Sequence, residues 1–372
     1  MAPITTHELD THAKEEDITL ILGKNVILKI VEHREVEEIL SRSATKELLK
    51  CEDLCHKDTI EPIQGILQLN EERAGFGNEV IEMSEMLLRE RARLTRIFRQ
   101  SSKKSRNRKA AHEFSIEDEQ RFMNRYFGER IASFKRVVQE NDRKMIELEK
   151  KLQSCNPHIH LLTPATLLLC RKCGSPLMKP SAQGREAATP PAKTGHRRPL
   201  SRQEIVWGEI KTDSECVFCG SKVTRNDAKR VLIHEISPDF LQLFRNELWF
   251  ELYLADLLSK LEWKTWAHVG VLGMSGILQE IDVLAIKKGF VLCVECKTGR
   301  TSREDAFKFW VKVSDLKSPY GIYALLKNLP ESETREFLSK SPGIIVLEGM
   351  ANKRKKDIVE FLKQSVIARG QN

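Results

Sequence analysis

Asp282, Glu295 and Lys297 stand on two short apolar runs separated by Lys288-Gly289, in the segment Gln-Glu-Ile-Asp-Val-Leu-Ala-Ile-Lys-Lys-Gly-Phe-Val-Leu-Cys-Val-Glu-Cys-Lys of residues 279–297. The pattern predicts a β-hairpin. If Lys288-Gly289 forms a two-residue turn, Lys287 faces Phe290, Asp282 lies opposite Glu295 and Glu280 opposite Lys297. A bulge at Gly289 would shift that register. Directly opposed residues have Cβ atoms about 4.5–5.5 Å apart, and the period of two puts all four charged residues on one face. Facing carboxylates destabilise a sheet unless a cation compensates. Hard Mg2+ prefers oxygen ligands, and Mg2+ or Mn2+ in such a site can activate water and stabilise charge on a phosphoryl oxygen. A lysine beside the ion could orient or deprotonate the water and steady the developing charge. That is the chemistry of metal-dependent phosphodiester hydrolysis. The bland alternative is a surface patch of ion pairs.

The elements that would hold these residues form a compact α/β pattern from residue 237 onward: helix 238–261, strands 265–271, 279–286 and 291–297, helices 303–314 and 319–328, strand 343–347 and helix 353–368. Ile281, Val283, Leu292, Val294 and Cys296 are apolar on the face opposite the charges, so helices should cover it. Lys308 and Lys312 lie one turn apart on helix 303–314. They could contact nucleic-acid phosphates, or form a solvated face with Trp310 in the core. His234 and His268 flank the domain and read as structural hydrogen-bonders.

Glu-Ile-Asp-Val-Leu, a short turn, then Val-Glu-Cys-Lys-Thr-Gly resembles the core of the PD-(D/E)xK nuclease superfamily. That superfamily includes restriction enzymes, archaeal Holliday junction resolvases, Mrr-type endonucleases and the nuclease domains of ring-nucleotide-activated CRISPR ancillary proteins. The last group is the most similar, through Glu-Cys-Lys-Thr-Gly, the following helix and Tyr320-Gly321. The resemblance covers roughly residues 237–350. It implies a restriction-endonuclease-like α/β domain with a mixed central sheet flanked by helices. It also implies metal ligation by Asp282 and Glu295, a backbone carbonyl ligand from Cys296, and water activation by Lys297. Leu248-Trp249-Phe250-Glu251-Leu252-Tyr253 matches the hydrophobic-Phe-Glu pattern of the preceding helix, so the supporting acid is carried to Glu251, with Glu247 as fallback. The sequence departs from the pattern in having no Pro before Asp282. Its N-terminal half lacks the repeated βα pattern of a ring-nucleotide sensor, so ligand activation is not implied.

Cys170-Arg-Lys-Cys173-Gly-Ser and Cys216-Val-Phe-Cys219-Gly-Ser are paired knuckles. Two thiolates three residues apart reach one ion, and the glycine lets the backbone turn past it. Four sulfurs make a closed structural Zn2+ site. The gap between the pairs is long, and residues 179–203, rich in Pro, Ala, Gly, Ser and Arg, read as a disordered insertion within it. The module, residues 157–236, resembles the zinc ribbons of nucleic-acid enzymes. Cys51, Cys55 and His56 read as helix-face residues without a metal.

Residues 76–156 read as a helical hairpin or coiled coil, with helices over 78–100 and 117–153. Ile131, Phe134, Val138, Asn141, Met145, Leu148 and Leu152 follow a heptad seam, and Asn141 is the polar position that would fix register. Residues 91–112 hold nine Lys/Arg and no acid, including Arg99, Lys103, Lys104, Arg106, Arg108 and Lys109. Such a block either contacts phosphates or is a solvated tip. Residues 1–75 form a small α+β region without an assigned fold, with a hairpin at 17–31 around Gly23-Lys24-Asn25 and a helix over 33–52 bearing Val36, Ile39, Leu40 and Leu48.

The chain has 372 residues and a net charge of +8, enough for two or three domains with locally basic patches. No apolar run approaches a membrane span, and nine cysteines, four of them paired as metal knuckles, fit a reducing interior. The expectation is a soluble, cytoplasmic Mg2+- or Mn2+-dependent endonuclease acting on DNA, with RNA as the alternative substrate. The zinc ribbon and basic hairpin would position the substrate, and the heptad seam invites a homodimer. The competing reading is a non-catalytic nucleic-acid-binding or scaffold protein carrying a relic nuclease fold.

Overall fold

The computed structural model describes residues 6–8, 17–22, 26–32, 38, 39, 41–104, 116–180, 203–206, 214–224, 228–245, 247–330 and 332–367. The chain divides into two compact units. One comprises Met1–Gln64, Lys151–Leu161 and Ser237–Asn372, and the other Gly65–Lys150 and Leu162–Ile236.

The first unit is built on an eight-stranded mixed sheet in the order β1-β2-β3-β10-β11-β12-β13-β14. Its centre is the hairpin of β11 (Leu278–Lys287) and β12 (Phe290–Lys297). Lys288 and Gly289 both take positive φ, 51° and 82°, as a two-residue type I′ turn demands. The register is then Lys287 against Phe290, running back to Val283 against Val294. On the other side of β11 lies β10 (Lys264–Leu272), antiparallel, and beyond it β3 (Val26–Val31), paired through Val271 and Ile30. The hairpin of β2 (Asp17–Leu22) and β3, with β1 (Thr6–Glu8), thus extends the sheet that holds Asp282. Residues 23–25 and 33–37 lie outside the described residues. Of the expected helix 33–52 the structure gives α1 (Ser43–Leu49), with Ile39 and Leu48 buried.

Beyond β12 the sheet turns parallel, through β13 (Tyr320–Leu325) and β14 (Ile344–Leu347). Parallel neighbours need crossovers, supplied by α6 (Arg303–Asp315) and α7 (Glu333–Lys340). The expected helix over 319–328 is therefore a strand. Five of the six residues of Tyr-Gly-Ile-Tyr-Ala-Leu are buried, and a strand covered on both faces shows no alternation to distinguish it from a helix. The expected helix 238–261 divides into α4 (Pro238–Arg245) and α5 (Leu248–Lys260), broken at Glu247, which takes φ 57°. The last helix is α8 (Lys355–Leu362), closed by a π turn over Lys363–Ile367.

Both faces of β11 and β12 are buried, from Ile281 to Ile286 and from Val291 to Cys296. Leu284, Ile286, Val291, Cys293 and Tyr323 pack with Ala306, Phe309 and Val313 of α6, Leu316 at its C-cap and Leu338 of α7. Ten of the thirteen residues of α5 are buried. The approach of α6 depends on Gly321. A Cβ there would sit 2.5 Å from Val313 Cγ2 and 2.8 Å from Phe309 Cζ. The helix starts on a capping box in which Ser302 accepts from the Asp305 amide.

In the second unit, α2 (Lys57–Lys104) and α3 (Ile116–Cys155) supply the long helices. Arg130 meets Glu79, Asn141 meets Leu69, and a Cβ on Gly65 would meet Leu148. One index rises as the other falls, so the pair is antiparallel. Asn141 is buried and donates to the Leu69 carbonyl at 3.2 Å, so its amide is satisfied within the chain. The seam residues Ile131, Phe134 and Val138 pack with Val80, Leu87, Leu167, Leu168, Phe218 and Ile233. The last four of these belong to the β module that follows the hairpin: β4 (Leu162–Cys170) pairs along its length with β9 (Ala228–Ile236). Of the insertion expected at 179–203, residues 181–202 lie outside the described residues, and its ends pair as β5 (Met178–Pro180) with β6 (Gln203–Ile205).

Gly321→Ala should destabilise the first unit by about 1–3 kcal/mol, the cost of forcing an extra carbon into a packed core. Urea unfolding followed by tryptophan fluorescence reads mainly this unit, because four of the five tryptophans, Trp249, Trp263, Trp266 and Trp310, lie in it and only Trp207 falls in the other. An unchanged midpoint would show that α6 does not need the close approach.

Candidate active site and metal centre

Asp282 sits where β11 and β12 part. Hydrogen-bonded pairs alternate along an antiparallel ladder. Lys287–Phe290 being one, Ile281–Cys296 would be another, yet the paired register ends at Val283–Val294. Instead the Cys296 amide donates to Asp282 Oδ2 at 2.7 Å. The expected opposition of Asp282 and Glu295 is the next step of this register. The ladder does not reach it, nor Glu280 with Lys297.

Glu295 is clamped by two ammonium groups. Lys297 Nζ lies 2.9 Å from Oε1 and Lys312 Nζ 3.1 Å from Oε2. Glu251, on the first turn of α5, has His268 Nδ1 3.2 Å from its Oε2. His268 has φ 51° and interrupts the β10–β11 ladder between Ala267–Val283 and Val269–Ile281, the point opposite Asp282. Positive φ in a non-glycine strand residue is unusual and strained. Glu247 lies apart from this set, with its carboxylate accepting from the Thr298 hydroxyl and, at 3.5 Å, the Thr298 amide.

Three carboxylates this deep need charge compensation: Glu251 is 6%, Asp282 8% and Glu295 6% exposed. Burial first, then the charges of Glu295 and Glu251, push the Asp282 carboxyl up to about 7, against the pull of the Cys296 amide. Burial also raises Glu251, with His268 opposing. The hydrogen bond to Glu251 raises His268. Burial works to lower the Lys297 pKa, but the Glu295 and Asp282 carboxylates outweigh it and the net shift is upward.

The donor chemistry fits a divalent cation. Hard carboxylate oxygens are the ligands such an ion prefers, and Asp282 is pushed toward its protonated form by burial and by the neighbouring Glu295 and Glu251 charges, which a cation would offset. The three acids are not drawn onto one point, however. Among the described residues, only Cys170, Cys173, Cys216 and Cys219 form a group of metal-ligating atoms all within 4.8 Å of one another. Each acid instead has its own partner: an amide, an imidazole or two lysines.

The cysteine cluster fits a structural metal such as zinc. A tetrahedral ion with Zn–S bonds of about 2.3 Å sets sulfurs roughly 3.8 Å apart. Cys170 and Cys219 sulfurs are 3.6 Å apart, and those of Cys173 and Cys216 are 3.7 Å apart. The two knuckles repeat each other. Gly174 and Gly220 take φ 73° and 67° and donate to the carbonyls of Cys170 and Cys216, both at 2.8 Å. The amides of Cys170 and Cys216 donate back to Ser175 and Ser221. Cys51, Cys55 and His56 lie in the bend between α1 and α2, buried, with Cys51 bonded to Asn156 and His56 beside Asp58.

Of the expected nucleic-acid contacts, Lys308 is exposed and paired with Glu304, while Lys312 turns inward to Glu295. Arg99, Lys103 and Lys104 fall on the last turns of α2, and Arg106, Arg108 and Lys109 lie outside the described residues. His234 is structural, its amide and ring both meeting Asp142. Sequence reasoning missed His268 as a member of the acidic cluster, since no residue pattern announces a left-handed residue within a strand. It also missed the inward turn of Lys312, for which the signal was its place three residues after the core Phe309.

No protein-family model matches the chain, and no curated protein does. Three solved structures resemble part of it. A protein of unknown function, AF1548, is 20% identical at a TM-score of 0.26, covering 32% of this chain and 66% of its own. Can2 from Sulfobacillus thermosulfidooxidans, solved with cyclic tetra-adenylate, is 20% identical at 0.29, covering 35% and 39%. VC1899 from Vibrio cholerae is 16% identical at 0.29, covering 35% and 38%. This chain therefore spans less than two thirds of each of them. No helix among the described residues is long and apolar enough to cross a membrane.

Two outcomes are expected. Purified protein should hold one equivalent of zinc by elemental analysis, lost in Cys216→Ser. For Asp282, the folded carboxyl keeps its proton where the unfolded chain, near 3.8, has released it. Metal-free stability should therefore fall as pH rises from about 4 to 7, with a slope of up to roughly 1.4 kcal/mol per pH unit. Asp282→Asn should remove this penalty. It should melt higher than the parent above pH 7, with the gap closing toward pH 4. Equal melting temperatures at pH 8 would contradict the assignment.

Proposed function

We propose that the chain is a Mg2+- or Mn2+-dependent endonuclease that hydrolyses phosphodiester bonds in DNA. The observation that supports this best is the set of buried acids, Glu251, Asp282 and Glu295, beside Lys297 at the open end of the β11–β12 hairpin. Asp282 and Glu295 would hold the ion, with Glu251 and the Cys296 carbonyl in support. The ion would supply a Lewis acid for the scissile phosphoryl group and acidify water.

The chain's own residues then divide the remaining work. The Cys296 amide holds Asp282 in place from β12, so the two strands position each other's acids. His268 keeps Glu251 turned toward the cluster. Lys297 is the group beside the reacting phosphate. A general base works best with a pKa near the working pH, and Glu295 shifts Lys297 the other way. Its role is therefore that of a cation that orients the attacking water and stabilises charge as it builds. The cysteine knuckles, closed around four sulfurs, would contribute structure and nucleic-acid contacts rather than chemistry, and the basic end of α2 would contribute phosphate contacts.

The decisive assay incubates plasmid, single-stranded DNA and RNA with the protein, with and without Mg2+ or Mn2+. Metal-dependent cleavage is expected, with Asp282→Asn and Lys297→Met lowering the rate at least a hundredfold while DNA affinity by anisotropy stays within about threefold. Cleavage by both variants at the parent rate would sink the reading. DNA binding without cleavage under any metal would favour the non-catalytic alternative.

A further inference from the structure

Glu295 offers two oxygens, and an ammonium occupies each: Lys297 on Oε1 and Lys312 on Oε2. The two lysines differ in tether. Both have the same four-carbon stem, but Lys297 is anchored two residues along the strand that carries Glu295. Lys312 is anchored on α6, a separate element held over the sheet because Gly321 lets Phe309 and Val313 press close. Its side chain is only 19% exposed. An ammonium in such a place needs an anion, and within hydrogen-bond distance it has the Glu295 carboxylate.

Resting on the metal-dependent nuclease reading, we infer that Lys312 is a removable counter-ion: a cation taking Glu295 displaces it, and a phosphate of the nucleic acid receives it. A divalent ion and an ammonium compete for the same oxygen, so a bare site binds metal against the Lys312 ion pair. A displaced Lys312 without a new anion is left partly buried and unpaired. A backbone phosphate supplies that anion. Metal and nucleic acid therefore bind cooperatively, and the coupling is reciprocal. Lys312 acts on the metal through Glu295, as a positioning residue, while Lys297 stays on the carboxylate throughout.

The test uses the full-length, zinc-loaded protein. Mn2+ binding is followed by the electron paramagnetic resonance signal of the free ion, with and without a cleavage-resistant phosphorothioate oligonucleotide. Asp282→Asn serves as the subtraction for Mn2+ held elsewhere. In the parent, the oligonucleotide should tighten the Asp282-dependent site about tenfold. Lys312→Met and Lys312→Gln should bind Mn2+ about tenfold more tightly than the parent without oligonucleotide and show no further tightening with it. Lys312→Arg, which keeps the charge, should follow the parent. Circular dichroism and zinc content check that each variant is folded, and the Met and Gln forms back each other up. Mn2+ affinity in the Met and Gln variants equal to or weaker than the parent's overturns the inference and leaves the nuclease reading standing. If no protein shows Asp282-dependent Mn2+ binding, the metal-site reading falls and the inference with it.

Discussion

Buried negative charge governs the first unit. Glu251, Asp282 and Glu295 lie at single-digit exposure, in a region where like charges repel strongly and water screens little. The sheet tolerates them because the chain brings a partner to each. Cys296 gives up its amide to Asp282 in place of a ladder bond, His268 accepts a left-handed backbone beside Glu251, and two lysines converge on Glu295. These compensations explain local features that otherwise look like defects in a regular sheet: the early end of the β11–β12 ladder and the interruption in β10–β11.

The same constraint reaches outward to packing. Lys312 arrives at Glu295 only if α6 lies close to β13, which requires position 321 to lack a side chain. The capping box at Ser302 and Asp305 fixes where α6 begins, and with it the phase that points Phe309 and Val313 into the core and Lys312 at the acid. On the far side of β11, β10 ties in β3 and through it the N-terminal hairpin.

The hairpin was legible in the sequence because local rules decide it. Two short apolar runs bounded by turn residues set the two strands, and Lys288-Gly289 suits a turn in which both residues have positive φ. The cysteine knuckles were legible for a similar reason, since Cys-x-x-Cys-Gly-Ser contains every atom of its own turn. Elements decided by tertiary burial were not. Tyr320–Leu325 is a strand because β12 and β14 flank it, and its own residues would serve equally in a buried helix. The break at Glu247 depends on an αL residue at the start of α5, and the position of His268 on a backbone angle that histidine does not favour. The β3–β10 pairing joins segments more than 230 residues apart, beyond the reach of any periodicity argument.

The four cysteines and the three buried acids meet one electrostatic problem in opposite ways. The cysteines converge because their backbone leaves no alternative: two left-handed glycines and reciprocal amide bonds set each pair of sulfurs, and the pairs meet at 3.6 and 3.7 Å. Thiolates so close would repel one another, and a bound cation such as zinc would relieve that repulsion, so a metal held there would be part of the fold. The acids do not converge, because each has a side chain long enough, or a neighbour close enough, to reach a cation or donor within the protein. A site compensated internally stays folded without a metal and must exchange partners to bind one. Closed sulfur coordination suits permanence, whereas oxygen ligands with displaceable lysines suit an ion that comes and goes with its substrate. The proposed exchange falls on Glu295, the one of the three acids held by two lysines, of which Lys312 reaches it from a separate helix.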